Sequence, residues 1–372
     1  MARALRLAER GLYTAQPNPR VGCVIAHAGE IVGEGWHRRA GEPHAEVLAL
    51  REAGARARGA TVYVTLEPCG LHGRTPPCAD ALIAAGIARV VIASEDEFQR
   101  KGGALDRLRA AGIAVECGLM RDAARELNRG FFSRIERDRP WLRVKLAMSL
   151  DGRTALANGE SKWITGDAAR ADVQRWRARS SAILTGIGTV LADDPRLIVR
   201  EKWGQSHLSS GISDVQLLSP KDDSDPISQP MRVVLDRELR MPRGARILDG
   251  TAPTLVLHAR TAAPVDERFA NVERVAVESD ERGLDLDAVL RVLAARGMNE
   301  VQVEAGPTLC GALFAAGLID ELLLYVAPVM LGDAARPLLA LPILSDMASR
   351  WQLRVVDQRQ VGDDMRLLLR NS

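Results

Sequence analysis

The chain has 372 residues, of which 47% are hydrophobic and 26% charged, and a formal net charge of +2. This length exceeds the usual size of one hydrophobic core and predicts two domains, while the ordinary composition excludes general disorder. The near-neutral balance, with no run of five or more Lys or Arg, argues against a nucleic-acid footprint and leaves small molecules as the expected ligands.

Residues Ala2 to Gly11 carry the amphipathic spacing of a helix, and Val21 to Ala26 with Ile31 to Val32 predict a hairpin turning at Ala28-Gly29-Glu30. Nothing near Met1 resembles a signal peptide and no apolar stretch is long enough for a bilayer, so a cytoplasmic protein without a membrane partner is expected. A helix from about His44 to Ala53, a strand at Thr61 to Leu66, a helix from Cys78 to Ala85 and a strand at Arg89 to Ala93 follow in alternation. That rhythm predicts βαβ units. A helix over Leu105 to Ala110 stops at Gly112 and leads to a short strand at Ile113 to Cys117.

The charged stretch Ile135 to Pro140 reads as a linker, which divides the chain into domains 1–139 and 140–372. The second domain is also expected to be α/β. Its strands are predicted at Leu142 to Ala147, Ala182 to Thr185, Arg232 to Leu235, Thr254 to His258, Val301 to Glu304 and Glu321 to Ala327. The segment Gly204 to Pro230, rich in Ser, Asp and Gly, reads as a disordered surface excursion.

Five cysteines (Cys23, Cys69, Cys78, Cys117 and Cys310) are too few and too scattered for a disulfide framework. His44 and Glu46 open one predicted helix, Cys69 follows a strand, and Cys78 starts another helix. One imidazole and two thiolates suit Zn²⁺, and three protein ligands leave the fourth tetrahedral position free, as a hydrolytic site requires. Residues two apart lie about 200° around an ideal helix, so His44 and Glu46 share a site only in an opening turn. The nucleobase-deaminase signature, H-x-E followed by P-C-x-x-C, matches His44-Ala45-Glu46 and Pro68-Cys69, but eight residues separate Cys69 from Cys78. Glu46 is then the general acid and base. Taken singly, His44 reads as a surface histidine and each cysteine as a buried hydrophobe, and His72 offers a fourth ligand that would make the site structural. His27, His37, His207 and His258, with Cys23, Cys117 and Cys310, read as structural.

The strings TAQPNPRVGC (Thr14 to Cys23), EPHAEV (Glu42 to Val47) and TLEPCGLHGRTPPC (Thr65 to Cys78) resemble the deaminase half of the bifunctional riboflavin biosynthesis deaminase/reductase family. The long cysteine spacing is that family's. KLAMSLDGRTA (Lys145 to Ala155), SKWITG (Ser161 to Gly166), GTVLADDPRLIVR (Gly188 to Arg200) and VEAGPTLCGALFAAGLIDEL (Val303 to Leu322) resemble its reductase half. The resemblance implies a cytidine-deaminase-like three-layer domain followed by a dihydrofolate-reductase-like domain. It implies zinc-dependent deamination of a diaminohydroxy-phosphoribosylaminopyrimidine, then NADPH reduction of the ribosyl group to ribityl phosphate, in a homo-oligomer.

By the same resemblance, Ala147, Trp163, Thr189, Asp193, Arg237 and the run Gly306, Pro307, Thr308, Leu309, Cys310, Gly311 and Ala312 line NADPH, with Arg237 toward a 2′-phosphate. Ser161, Arg177, Leu197, Arg200 and Glu304 surround the sugar phosphate. Duller readings place Arg177 on a solvated helix face, Trp163 in the core and Asp193 at a turn cap. No Gly-x-Gly-x-x-Gly fingerprint appears. Two stretches depart from the family pattern: Asp96-Glu97-Phe98-Gln99 replaces its Asp-Pro-Asn-Pro, and Gly70-Leu71 its Ser-His. Competing readings are a deaminase of another nucleoside or tRNA base with a non-catalytic second domain, and a zinc-stabilised nucleotide-sensing module.

Overall fold

The computed structural model describes residues 1–71, 77–96, 102–162, 164–200, 228–262, 269 and 272–371. His72, Glu97 to Gln99, Trp163, His207 and nearly all of the 204–230 segment lie outside the described residues. Two compact units, Met1–Arg139 and Pro140–Ser372, are considered in turn. Among the described residues no helix is long and apolar enough to cross a membrane.

In the first unit the strands are β1 (Gly22–His27), β2 (Glu30–Trp36), β3 (Thr61–Leu66), β4 (Arg89–Ser94) and β5 (Ala114–Cys117). They form one sheet in the order β2-β1-β3-β4-β5. β1 runs antiparallel to β2 and β3, whereas β3, β4 and β5 are parallel. Parallel strands need crossovers, supplied by helices Cys78–Ala84 and Ala104–Ala110. Ile25, Val62, Val64, Leu82, Ile92 and Leu108 meet in the core between sheet and helices.

Helix Ala45–Ala53, which carries Glu46, lies on β2 through two glycines. A Cβ added at Gly33 or Gly35 would sit 2.2 Å from the Ala49 or the Ala45 carbonyl oxygen. Those neighbours are backbone atoms, so no rotamer change relieves the clash. Gly35→Val is therefore expected to destabilise the first unit by roughly 1–3 kcal/mol through overpacking and to displace His44 and Glu46. Urea denaturation and zinc content measure the two effects.

Only the end of the charged stretch is non-helical: helix Arg129–Arg137 continues through Ile135, Glu136 and Arg137. Phe131 and Phe132 on that helix are buried against Leu66, and Glu136 pairs with Arg125 at 2.6 Å. The charged run is the outer face of an amphipathic helix. Cys117 also departs from expectation, being exposed at the end of the edge strand β5. Packing holds for Cys23 and Cys310, which are buried.

The second unit contains β6 (Trp141–Ser149), β7 (Arg153–Ala155), β8 (Ala182–Gly186), β9 (Met231–Leu235), β10 (Thr254–Ala259), β11 (Glu273–Val277), β12 (Glu300–Val303), β13 (Glu321–Ala327), β14 (Arg336–Pro337), β15 (Leu353–Val361) and β16 (Asp364–Asn371). Nine of them make one sheet in the order β11-β10-β9-β8-β12-β6-β13-β16-β15, and β7 pairs with β14 separately. The sheet is parallel from β11 to β13, and the β15–β16 hairpin closes one side antiparallel. The six predicted strands are β6, β8, β9, β10, β12 and β13, the apolar ones buried on both faces. β15 escapes the pattern because an edge strand exposed on both faces is mostly polar.

A charged cluster crosses the middle of this sheet. The wholly buried Arg143 on β6 donates to Glu321 of β13 at 2.6 Å and to Glu300 of β12 at 2.8 Å. Its guanidinium lies 4.5 Å from the centre of the Trp176 ring.

Candidate functional site

His44 is the residue just before the helix, in extended backbone (φ −71°, ψ 164°), and Ala45 is the first helical residue. The 200° separation of an ideal helix therefore does not apply, and His44 and Glu46 face the same region. Cys69 lies beyond the end of β3, and Cys78 opens its helix behind Pro77. The backbone N–H of Cys78 donates to Cys69 Sγ at 3.1 Å, and that of Ala79 to the Cys69 carbonyl at 3.2 Å. Free N–H groups at a helix start thus favour a thiolate at Cys69.

His44 Nδ1 lies 3.1 Å from Cys78 Sγ and 3.5 Å from Cys69 Sγ. All three ligand atoms fall within 4.8 Å of one another, and no fourth His, Cys, Asp or Glu joins them among the described residues. In a tetrahedral site, zinc–sulfur and zinc–nitrogen bonds of about 2.3 and 2.05 Å put nitrogen and sulfur about 3.6 Å apart. The observed spacing and the soft donor set fit zinc.

A hydrogen bond from Cys78 draws the Cys69 thiol down to about 4, with His44 and the Cys78 backbone adding to it against burial. Cys78 moves up, through that same bond and burial. Burial raises the Glu46 carboxyl to about 7, opposed by its own backbone N–H and by His44. Glu46 is 3% exposed, a buried carboxyl beside the half-buried His44 and Cys69, and a pKa near neutrality suits a group that exchanges protons.

Two neighbours escape the sequence reading. His37, read as structural, is buried, and its ring stands edge-on to that of His44 with centroids 5.3 Å apart. The Asn18 amide donates to His37 Nε2 at 3.0 Å, which leaves the Nδ1 proton facing the Pro43 carbonyl at 3.4 Å. Burial lowers the pKa of His37 and keeps the ring neutral. The signal was Pro17-Asn18-Pro19, a turn-forming run with no other purpose in the chain pattern.

The second unit opens into a cleft of about 1980 Å³. Ala147, Thr189, Asp193, Arg237, Gly306, Pro307, Thr308, Leu309 and Ala312 line it, as do Ser161, Arg177, Leu197 and Glu304. Helix Pro307–Ala315 begins at Gly306 with proline in its first turn, so its free N–H groups are available to a phosphate. Cys310 and Gly311 sit on the opposite side of that helix. Cys310 is in the core with its thiol donating to the Ala305 carbonyl at 3.4 Å, and a Cβ on Gly311 would lie 2.2 Å from the Ala340 oxygen. Arg200 is exposed and does not line the cleft.

Arg177 is mostly buried rather than on a solvated face. Its Nε and Nη2 donate to the two oxygens of Glu304 at 2.7 and 2.8 Å, and Nη1 to the Ile198 carbonyl at 2.9 Å. Burial alone would raise Glu304, yet Arg177 holds its carboxyl at about 2. The fork expected on a phosphate is therefore engaged by a carboxylate. Arg237 likewise donates to the Asp280 and Glu281 carbonyls at 3.1 and 3.3 Å. Lys145, absent from the sequence reading, lines the same cleft. Burial lowers its ammonium pKa, with Glu304 opposing. A lysine inside an apolar parallel strand was the available signal, because burying a charge there is costly.

A cluster of one imidazole and two thiol sulfurs beside a buried carboxyl defines one unit, and a large cleft with a helix N-terminus at its wall defines the other. Together they make a two-part enzyme, a zinc-dependent deaminase joined to a nucleotide-dependent reductase. Residues 1–94 match the cytidine and deoxycytidylate deaminase zinc-binding region, and residues 140–367 match the RibD C-terminal domain. The riboflavin biosynthesis protein RibD of Escherichia coli is 50% identical over 370 residues, 99% of this chain and 98% of that one. The structure of Acinetobacter baumannii RibD, form 1, is 42% identical with a TM-score of 0.86, covering 100% of this chain and 97% of that one. A Thermotoga maritima structure, a diaminohydroxyphosphoribosylaminopyrimidine deaminase/5-amino-6-(5-phosphoribosylamino)uracil reductase, is 32% identical with a TM-score of 0.83 over the same shares, 100% and 97%. The chain belongs to the RibD family. It is a bifunctional deaminase and reductase of riboflavin biosynthesis, with a zinc-binding cytidine-deaminase-like domain and an NADPH-dependent reductase domain of dihydrofolate-reductase-like fold.

Proposed function

We propose that His44, Cys69 and Cys78 hold the zinc ion and that Glu46 moves the protons of the deamination, within a domain spanning 1–139. The observation that carries this is the approach of three ligand atoms to within 4.8 Å beside the buried Glu46. Zinc, when bound, supplies Lewis-acid activation of water. Glu46 accepts a proton as the ring carbon is attacked and returns it to the departing ammonia. Asn18 and the neutral His37 orient the ring. The substrate is a 2,5-diamino-6-(5-phosphoribosylamino)pyrimidin-4-one.

The domain spanning 140–372 reduces the ribosyl group of the deaminated product to ribityl phosphate. NADPH, when bound, supplies the hydride. Its phosphates rest at the helix start of Gly306 to Leu309, with Ala147, Thr189, Asp193, Arg237 and Ala312 along the same wall. Ser161, Leu197 and the Arg177–Glu304 pair shape the sugar end, and Lys145 delivers the proton. The large exposed side chains Ile343, Met347 and Met330, which are 99%, 75% and 70% exposed, support a homo-oligomer. The net charge of +2 supports an enzyme without a nucleic-acid partner.

The deciding assay offers the phosphorylated aminopyrimidine and its unphosphorylated nucleoside in parallel. Ammonia release is expected from the phosphorylated compound. Preference for the free nucleoside would overturn the substrate assignment and favour a nucleoside deaminase.

A further inference from the structure

Cys69 and Cys78 are separated by eight residues, so local chain geometry does not set the distance between their sulfurs. It is set by the direct bonds from the Cys78 and Ala79 N–H groups to Cys69, together with two contacts from the segment that carries a different helix. Arg107, on helix Ala104–Ala110, donates through Nη2 to the Gly70 carbonyl at 2.7 Å and through Nη1 to Asp80 Oδ1 at 2.9 Å. Gly70 directly follows Cys69, and Asp80 lies two residues beyond Cys78. One planar guanidinium therefore spans both cysteine-bearing segments.

The second contact is steric. A Cβ on Gly70 would lie 2.7 Å from the Gly102 oxygen, and one on Gly102 would lie 2.8 Å from the Gly70 carbonyl carbon. Backbone thus rests on backbone, which seats the Cys69 turn against the start of the Arg107 helix. This also accounts for glycine at position 70, where the family pattern has serine. The Arg107 and Asp80 side chains are 39% and 46% exposed, so their attraction adds little to global stability. What the bridge supplies is geometry.

We propose that Arg107 is a positioning residue of the metal centre, bridging the Gly70 carbonyl and the Asp80 carboxylate so that Cys69 and Cys78 stand at the separation a metal ion needs. The inference rests on the reading of those cysteines as ligands. Residues that orient metal ligands from behind typically change metal affinity by 10–100-fold. Only the rigid two-pronged donor of arginine satisfies both acceptors at once, since a lysine ammonium is a single point.

The test uses the full-length zinc-loaded protein and follows zinc release to a colorimetric chelator. Arg107→Met is expected to release zinc roughly 10–100-fold faster, with an unchanged urea midpoint for unfolding of the first unit as the control for folding. Arg107→Lys keeps the charge and most of the packing and is expected to fall between the two. The cobalt-substituted protein adds a spectroscopic readout: the thiolate-to-metal charge-transfer band should shift in both variants and stay put in Arg109→Gln, an exposed change on the same helix. Cys69→Ser separates the two levels of the argument. If it loses zinc while both Arg107 variants keep the parent release rate and cobalt spectrum, the positioning role is wrong and the ligand reading stands. If Cys69→Ser keeps zinc with the parent affinity, the ligand reading itself fails.

Discussion

Glu46→Gln is expected to lower ammonia release by roughly 10²–10⁴-fold, the range for removing a general acid and base, while the protein still binds zinc. Glutamine keeps the shape and the hydrogen-bonding capacity of the side chain but cannot carry the transferred proton. The carboxyl is 3% exposed, so bulk water has little access to take its place. Because Glu46 belongs to the first unit, NADPH oxidation on the deaminated intermediate should stay at the parent rate. Zinc content by metal analysis, ammonia release and NADPH absorbance check the three parts. Unchanged ammonia release in a zinc-loaded Glu46→Gln protein would remove Glu46 from the mechanism.

The largest expected effect on stability lies in the second unit. Arg143→Met should destabilise it by about 3–5 kcal/mol, because the change leaves two buried carboxylates without their shared partner. Glu300 and Glu321 are wholly buried, and the other cations that reach them, Arg179 at 3.4 Å and Arg370 at 3.0 Å, approach from the edge of the cluster. A neutralised triple variant, Arg143→Met with Glu300→Gln and Glu321→Gln, is expected to recover only part of the loss, since the wholly buried carboxylates are gone but Arg179 and Arg370, 17% and 12% exposed, lose these partners. Denaturant midpoints followed by Trp176 fluorescence measure both, the ring being 4.5 Å from the guanidinium.

The metal centre is the part of this molecule most legible in the sequence. His44, Glu46, Cys69 and Cys78 are chemically distinctive, and Pro68 and Pro77 mark the turn and the helix start that present them. The helix-wheel objection to His44 and Glu46 disappears because His44 precedes the helix. Apolar strands such as β8 and β13 are equally plain, because burial on both faces leaves an unbroken hydrophobic run.

What stays illegible has a common physical origin, which is that a charged residue in a string reads as solvated. Arg143, Glu300 and Glu321 look like surface positions until the sheet order brings β6 between β12 and β13. Arg177 looks like part of an exposed arginine-rich helix until Glu304 is placed opposite its fork. Lys145 sits in an apolar strand and reads as an exception, although it faces the cleft. Ile135 to Arg137 look like a linker because only one face of their helix is apolar. In the Gly306 to Ala312 run, which the family resemblance assigns whole to the cofactor, the helical repeat turns Cys310 into the core and sets Gly311 against Ala340.

The two activities act in order on the same phosphorylated compound, at two separate sites of one chain. The most direct measurement of that order follows ammonia and NADPH together after the phosphorylated diaminopyrimidine is added to the zinc-loaded protein. Ammonia is expected to appear first, with NADPH consumed one for one behind it. In Glu46→Gln neither should occur until the deaminated intermediate is supplied, after which NADPH oxidation alone proceeds. NADPH oxidation on the aminated compound with no release of ammonia would contradict the account.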